Sequence, residues 1–318
     1  MGMRVISFYR FVAFTPGELP LWRQRLLELG QRVDLRGTVL LAEEGLNGTV
    51  SGEESAVEAL VALLRSDPRL AELEFKRSEA PEPVFHRFKV RIKREIVTLG
   101  RPELRRAVEA PVGAYVAPAD WNALIRDPDT LVIDTRNAYE VAVGRFDGAI
   151  EPGTANFSEF PDWVEDRLRP LVERTQPRAL ALYCTGGIRC EKATAWLLHQ
   201  GFEGVHHLQG GILRYLEAVP EADSDWRGEC FVFDQRVALN HQLEPGEHSL
   251  CHGCRMPLSA ADRAQPSYVS GVCCPHCRAA RDEADLARFS ERQRQVTLAR
   301  DRGERHIGQV FAGEASDA

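Results

Sequence analysis

The residues best placed to do chemistry in this sequence are its cysteines, eight in number, of which all but Cys230 fall into two groups. The first group opens the segment Cys184-Thr185-Gly186-Gly187-Ile188-Arg189-Cys190. An apolar run over residues 179–183 precedes it and helical spacing follows over 191–200, so the segment joins a buried strand to a helix. Such a loop can aim its backbone N–H groups inward at the positive end of the helix dipole. The two glycines permit the dihedral angles that a cradle of amides needs. A thiol held there ionises readily, and Arg189 adds positive charge and a fork of donors for an oxyanion. Cys184 and Arg189 are therefore the candidate catalytic residues, with Thr185, Gly186, Gly187 and Ile188 as the active-site loop. An inert thiol at a strand end would not explain two glycines and an arginine compressed into that space. Cys190 is open to two readings, a resolving thiol for Cys184 or a core residue on the first turn of the helix.

The second group is Cys251-x2-Cys254 and Cys274-x2-Cys277, two short knuckles with 19 residues between them. Each knuckle can offer two thiolates to one tetrahedral ion, which is zinc-ribbon spacing. A segment of about 50 residues with few large apolar groups needs such a staple. Structural zinc on Cys251, Cys254, Cys274 and Cys277 is the expectation, with His252, His276 and Cys273 as spare ligands. Free thiols, or thiols passing sulfur to Cys184, are the alternatives. Cys230 precedes Phe231-Val232-Phe233 in a strand and is expected in the core.

A third feature is the alternation His86-Arg87-Phe88-Lys89-Val90-Arg91-Ile92-Lys93. As a strand it turns Phe88, Val90 and Ile92 inward and lines Arg87, Lys89, Arg91 and Lys93 along one face, about 6.6 Å apart. That spacing suits a phosphate track; a solvated sheet face is the plainer reading. The chain carries a net charge of −7, yet residues 76–106 hold ten Lys/Arg against four Glu, a local charge of +6. Local patches steer polyanions more than totals do.

These residues need elements to position them. At 318 residues, 44% hydrophobic and 27% charged, the chain reads as a soluble protein of two or three domains. No apolar run reaches the roughly 18 residues of a membrane span, and the opening MGMRVISFYRF reads as a strand rather than a signal peptide. A cytoplasmic protein is expected. Residues 4–10 read as a strand, 16–30 as a helix, 37–50 as two strands turning over 43–48 with Asn47-Gly48 as the turn signal, and 53–65 as a helix. Whether residues 44–48 face a substrate or merely close a hairpin stays open. With strands near 73–76 and 85–99, the order βαββαβ predicts a ferredoxin/acylphosphatase-like α+β domain over residues 1–100. Residues 101–117 read as a linker. Buried strands alternating with helices over 118–222 predict an α/β domain with a parallel sheet. Residues 223–280 form a small Cys-rich region, and 281–318 a charged helix with a tail.

The Cys-x4-Arg loop after a buried strand resembles that of the rhodanese family. Asp134-Thr135-Arg136 with Glu140 downstream resembles its Asp-x-Arg element and following acid. Gly144-Arg145-Phe146 with Gly148-Ala149, and Gly210-Gly211, resemble further family segments, with Arg145-Phe146 in place of the usual His-Ile. The resemblance implies a rhodanese domain whose Cys184 accepts a sulfane sulfur. Asp134 and Arg136 then support the site or simply form a buried charge pair at the sheet edge. Arg36-Gly37, residues 44–52, Phe88–Ile92 with Lys93, the loop through Glu191-Lys192, and Cys230-Phe231-Val232-Phe233-Asp234 together resemble one family over residues 4–280. That family is the bacterial tRNA uridine 5-hydroxylases. It implies oxygen-dependent formation of 5-hydroxyuridine at the anticodon wobble position, with molecular oxygen as co-substrate, no certain cofactor, and a persulfide on Cys184. Its implied partners are tRNA, an electron donor and a sulfur donor. Two other readings are a sulfurtransferase moving sulfane sulfur through Cys184, and a non-catalytic RNA-binding adaptor, against which intact Cys184 and Arg189 speak.

Overall fold

The computed structural model describes residues 2–101, 104 and 110–303. Glu103, Arg105 and Arg106 of the basic stretch, and the tail from residue 304, lie outside the described residues.

The N-terminal domain is built from β1 (Met3–Phe11), α1 (Glu18–Arg32), β2 (Arg36–Ala42), β3 (Gly45–Gly52), α2 (Glu54–Arg65), β4 (Lys76–Ala80) and β5 (Phe88–Ile92). Its sheet order is β4-β1-β3-β2-β5, a ferredoxin-like antiparallel sheet with β5 added parallel to β2. The alternation along each strand decides what the sheet faces. Ile6, Phe8, Val39, Leu41 and Val50 bury against Trp22 and Leu26 of α1 and Leu60 of α2. The opposite face carries no helix of this domain and presents polar side chains, among them Ser7, Thr38 and Asn47.

Two local expectations are corrected here. The hairpin between β2 and β3 turns on Glu43 and Glu44 alone. Asn47 and Gly48 lie within β3, so the pair marks close packing rather than a turn: Asn47 Nδ2 donates to Ile96 O at 3.0 Å, and a Cβ at Gly48 would stand 2.8 Å from the Phe8 ring. In β5 the alternation holds only in part. Val90 is buried, but Ile92 at the strand end is 42% exposed and Lys89 is half-buried.

The central domain begins earlier than its linker-like sequence suggests. β6 (Ala114–Val116) lies within residues 101–117 yet forms the edge of a four-stranded parallel sheet. Three residues are too short a signal to separate from a loop by periodicity. The domain continues through α3 (Pro118–Ile125), β7 (Thr130–Asp134), α4 (Ala138–Val141), β8 (Gly144–Phe146), α5 (Phe160–Trp163), α6 (Arg169–Thr175), β9 (Ala179–Tyr183), α7 (Ile188–His199), β10 (Val205–Leu208) and α8 (Gly211–Ala218). Sheet order is β6-β10-β9-β7. β9 is central and fully buried, with separate cores on its two faces.

The C-terminal region has only short strands, β11 (Trp226–Gly228), β12 (Cys230–Phe231), β13 (Ala238–Leu239), β14 (Ser249–Leu250) and β15 (Pro257–Leu258), then α9 (Ala260–Arg263) and the charged α10 (Glu283–Asp301). Its strand β11 pairs with β8, which fastens it to the central domain. Cys230 lies in the core, with no exposed surface.

A buried ion triad locks the first two domains together. Lys192 of α7 is 1% exposed. Its ammonium lies 2.7 Å from Glu44 Oε1 and 2.6 Å from Glu95 Oε2, and donates to Val97 O at 2.8 Å. Glu44 thus closes a tight hairpin whose carboxylate points into the domain interface. Charges this deeply buried are tolerable only when paired and hydrogen-bonded.

Candidate active site

The site grows from the end of β9. Being buried on both faces, β9 delivers Cys184 to the C-terminal end of the sheet with no exposed surface, and α7 starts four residues later. The turn between them needs Gly187, whose φ is +100° and whose added Cβ would stand 2.8 Å from Tyr9 Oη. Gly187 N donates to Cys184 Sγ at 3.1 Å. From below, Ile212 N and Leu213 N of α8 donate to the carbonyls of Cys184 and Thr185 at 2.9 and 3.1 Å. Gly211 permits that approach, since a Cβ there would meet Cys184 O at 2.5 Å.

Burial opposes ionisation of Cys184. The Cys190 thiol hydrogen bond, the Arg189 charge and the amides of Cys190 and Gly187 outweigh it and hold the thiol at about 5. Cys190 is itself fully buried; burial and its bond to Cys184 push its own thiol well above the usual range. Cys190 is thus at once a core residue and the neighbour of Cys184.

Arg189 corrects one expectation. Its fork is already occupied: Nη1 and Nη2 each donate to Glu140 at 2.7 Å in a buried bidentate pair. It acts on Cys184 as a fixed charge rather than as a free oxyanion clamp. Thr185 Oγ1 leans toward Glu140 Oε1 at 3.4 Å, while Ile188 lines the cavity described below. Asp134 and Arg136 form the buried pair, at 2.6 Å, and Arg136 also donates to Gly144 O at 2.6 Å. They brace the β7 end and do not line the cavity.

Cys184 opens on a cavity of about 550 Å³ made by all three regions of the chain. The helix-free face of the N-terminal sheet supplies one wall, the loop and Phe157 another, and residues 232–243 a third. Its size is within the range of ligand sites. The four expected cations are placed unequally. Lys89 and Arg91 pair with Thr38 and Leu40 across β2 and so share the cavity-facing side of the sheet. Lys93, after the strand, lines the cavity, whereas Arg87 precedes the strand and is exposed.

Sequence reasoning missed three cavity residues. Lys76 donates its ammonium to Gly186 O at 2.7 Å and stands over the Tyr9 ring; burial lowers its pKa. Tyr9 Oη donates to Glu191 Oε1 at 2.8 Å, and burial raises the Glu191 pKa. Phe233 belongs to a motif that suggested family but no role for the ring. Only the basic run around Lys76 gave a signal, and it did not single out that lysine.

Cys251, Cys254, Cys274 and Cys277 converge, all four Sγ within 4.8 Å of one another. Neighbouring Sγ pairs are 3.6, 3.8 and 4.0 Å apart. A tetrahedral ion with bonds of about 2.3 Å needs thiolates about 3.8 Å apart, so the four can hold one metal ion. Of the spare ligands, Cys273 donates to Ser267 O and His276 pairs with Asp262.

Residues 3–96 match the family described as UPF0176 acylphosphatase like domain, and residues 117–218 the rhodanese-like domain. The chain is 55% identical over 303 residues to a tRNA uridine(34) hydroxylase of Parasynechococcus marenigrum strain WH8102, covering 93% of this chain and 94% of that protein. It is 52% identical to one from Caulobacter vibrioides and 50% identical to one from Gluconobacter oxydans, each over 96% of both chains. Among solved structures, a rhodanese-related protein from Thermoplasma volcanium is similar over 34% of this chain and 95% of its own, at 21% identity and a TM-score of 0.26.

Proposed function

The chain belongs to the tRNA uridine(34) hydroxylase family, and from that membership we propose that it converts the wobble uridine of tRNA to 5-hydroxyuridine with molecular oxygen. One observation carries the reading. The low-pKa thiol does not face open solvent; it faces a cavity whose other walls come from the N-terminal sheet and the C-terminal region. A sulfurtransferase needs only the loop and leaves those walls without a purpose.

Cys184 is the persulfide-forming residue in this reading. Its thiolate attacks the outer sulfur of a donor persulfide, whose S–S bond breaks as the donor leaves as a thiolate, and the Gly187 amide and Arg189 charge stabilise the resulting Cys184 persulfide anion. Replacing C5–H by C5–OH uses one atom of oxygen. The other leaves as water and requires two electrons and two protons, hence an electron donor as partner. Lys89, Arg91 and Lys93 serve as phosphate contacts that bring the anticodon arm to the cavity. The four-cysteine site holds a structural zinc ion. Among the described residues no helix is long and apolar enough to cross a membrane, and the enzyme acts in the cytoplasm, where its tRNA is.

The test is Cys184→Ser, which keeps the volume but cannot carry persulfide sulfur. Nucleoside mass spectrometry of tRNA from cells carrying only this variant should lose 5-hydroxyuridine, while the purified variant melts as the parent does. Full hydroxylation by the variant would overturn the role of Cys184.

A further inference from the structure

Phe233 is 61% exposed, yet it is firmly held. It sits in the connection between β12 and β13, closed by Val232 N donating to Val237 O at 2.8 Å. Val237 has φ +66°, a conformation that β-branched residues avoid and that persists only where the surroundings impose it. Arg236 pairs with Asp234 and donates to Ser78 Oγ at 2.7 Å, which ties the connection to β4 of the N-terminal domain. The Phe233 ring stands edge-on to buried Phe231 at 5.2 Å and 88°, and it lines the same cavity as Cys184.

A strained connection pinned at both sides thus holds an apolar ring out of the core and against the cavity. The wall given by the N-terminal sheet carries polar groups, among them Ser7, Thr38 and Asn47. Asn47 spends its Nδ2 on Ile96 O, so its Oδ1 is left as the acceptor. An occupant with a flat apolar face and a hydrogen-bonding edge fits both walls, and a pyrimidine base has both.

We infer that Phe233 is the stacking platform on which the target uracil, turned out of the anticodon loop, is positioned for reaction beside Cys184. The inference rests on the hydroxylase reading and names the residue that holds its substrate base. An aromatic–base stack changes affinity by about 5- to 150-fold per base.

The test is a double-mutant cycle with full-length protein and a short anticodon stem-loop carrying either uridine or an abasic site at the wobble position. Phe233→Leu keeps apolar bulk at an exposed position, and Phe233→Tyr keeps the ring. Phe233→Leu should weaken binding of the uridine stem-loop about tenfold and raise KM more than it lowers kcat, with Phe233→Tyr close to the parent. The abasic stem-loop should bind parent and Phe233→Leu equally, because the stack is already gone. Equal weakening on both stem-loops, or a Phe233→Leu protein that binds uridine as the parent does, overturns the stacking role. Those results leave hydroxylation by the parent intact, whereas a parent that hydroxylates no tRNA overturns the underlying reading instead.

Discussion

Cys184 and Arg189 are four residues of loop apart, yet the charge that matters between them is set by a third residue. Arg189 holds Glu140, buried as deeply as the thiol itself. The Cys184 pKa is lowered, so its thiolate survives as pH falls and is lost only as pH passes down through about 5. Iodoacetamide labelling of Cys184, followed by peptide mass spectrometry, should have its midpoint there rather than near the roughly 8.5 of a free cysteine. Arg189→Gln removes the cation and leaves Glu140 as an uncompensated neighbour. The midpoint should rise by roughly one to three pH units, and stability should fall by about 3–5 kcal/mol. An unmoved midpoint would assign the ionisation to the Cys190 thiol and the backbone amides. The loop was legible in the sequence because its chemistry is contiguous. Glu140, 49 residues away from Arg189, was visible only by family likeness and without its pairing. Lys76, 110 residues from the carbonyl it meets, was visible only as one member of a basic run. Tertiary contact, not local pattern, decides both.

Among the elements, β5 carries the proposed phosphate contacts. Its parallel register with β2 places Lys89 and Arg91 beside residues that line the cavity, which is where the proposed function needs phosphate contacts. Reversing both to Glu should weaken tRNA binding and reduce the slope of log affinity against log salt by roughly one for each phosphate that is no longer neutralised. Sulfur loading of Cys184, followed by mass, should be unchanged. A double variant with the parent's affinity and slope would make the strand an ordinary solvated face. Alternation predicted the strand and Val90 inside, but not exposed Ile92, because nothing packs over the end of an edge strand. Turn chemistry misplaced the β2–β3 hairpin for a comparable reason. Asn47-Gly48 suits a turn and a crowded strand equally, and Phe8, which crowds Gly48, is distant in sequence. β6 was unreadable, since three residues carry no period.

At the scale of the whole molecule, the cavity exists only when all three regions are assembled. Leu250, next to Cys251, packs with Phe231 and Val237, so the four-cysteine site is connected through one apolar cluster to the wall that carries Phe233. Elemental analysis should find about one zinc per chain. Stripping it with a chelator should loosen that wall first: tRNA affinity should drop while Cys184 labelling keeps its midpoint. A metal-free preparation that binds tRNA normally would separate the two. The sequence read the knuckles correctly as a converging set because ligand spacing is local, but their link to the cavity lies in packing alone. The Lys192 triad carries a different consequence, for descent rather than chemistry. One ammonium on α7 answers two carboxylates on the N-terminal side. A recombination that imported either domain from an unrelated lineage would strand a buried charge. The triad thus ties the two domains to each other: a swap of either one should fold only if its partner charges travel with it.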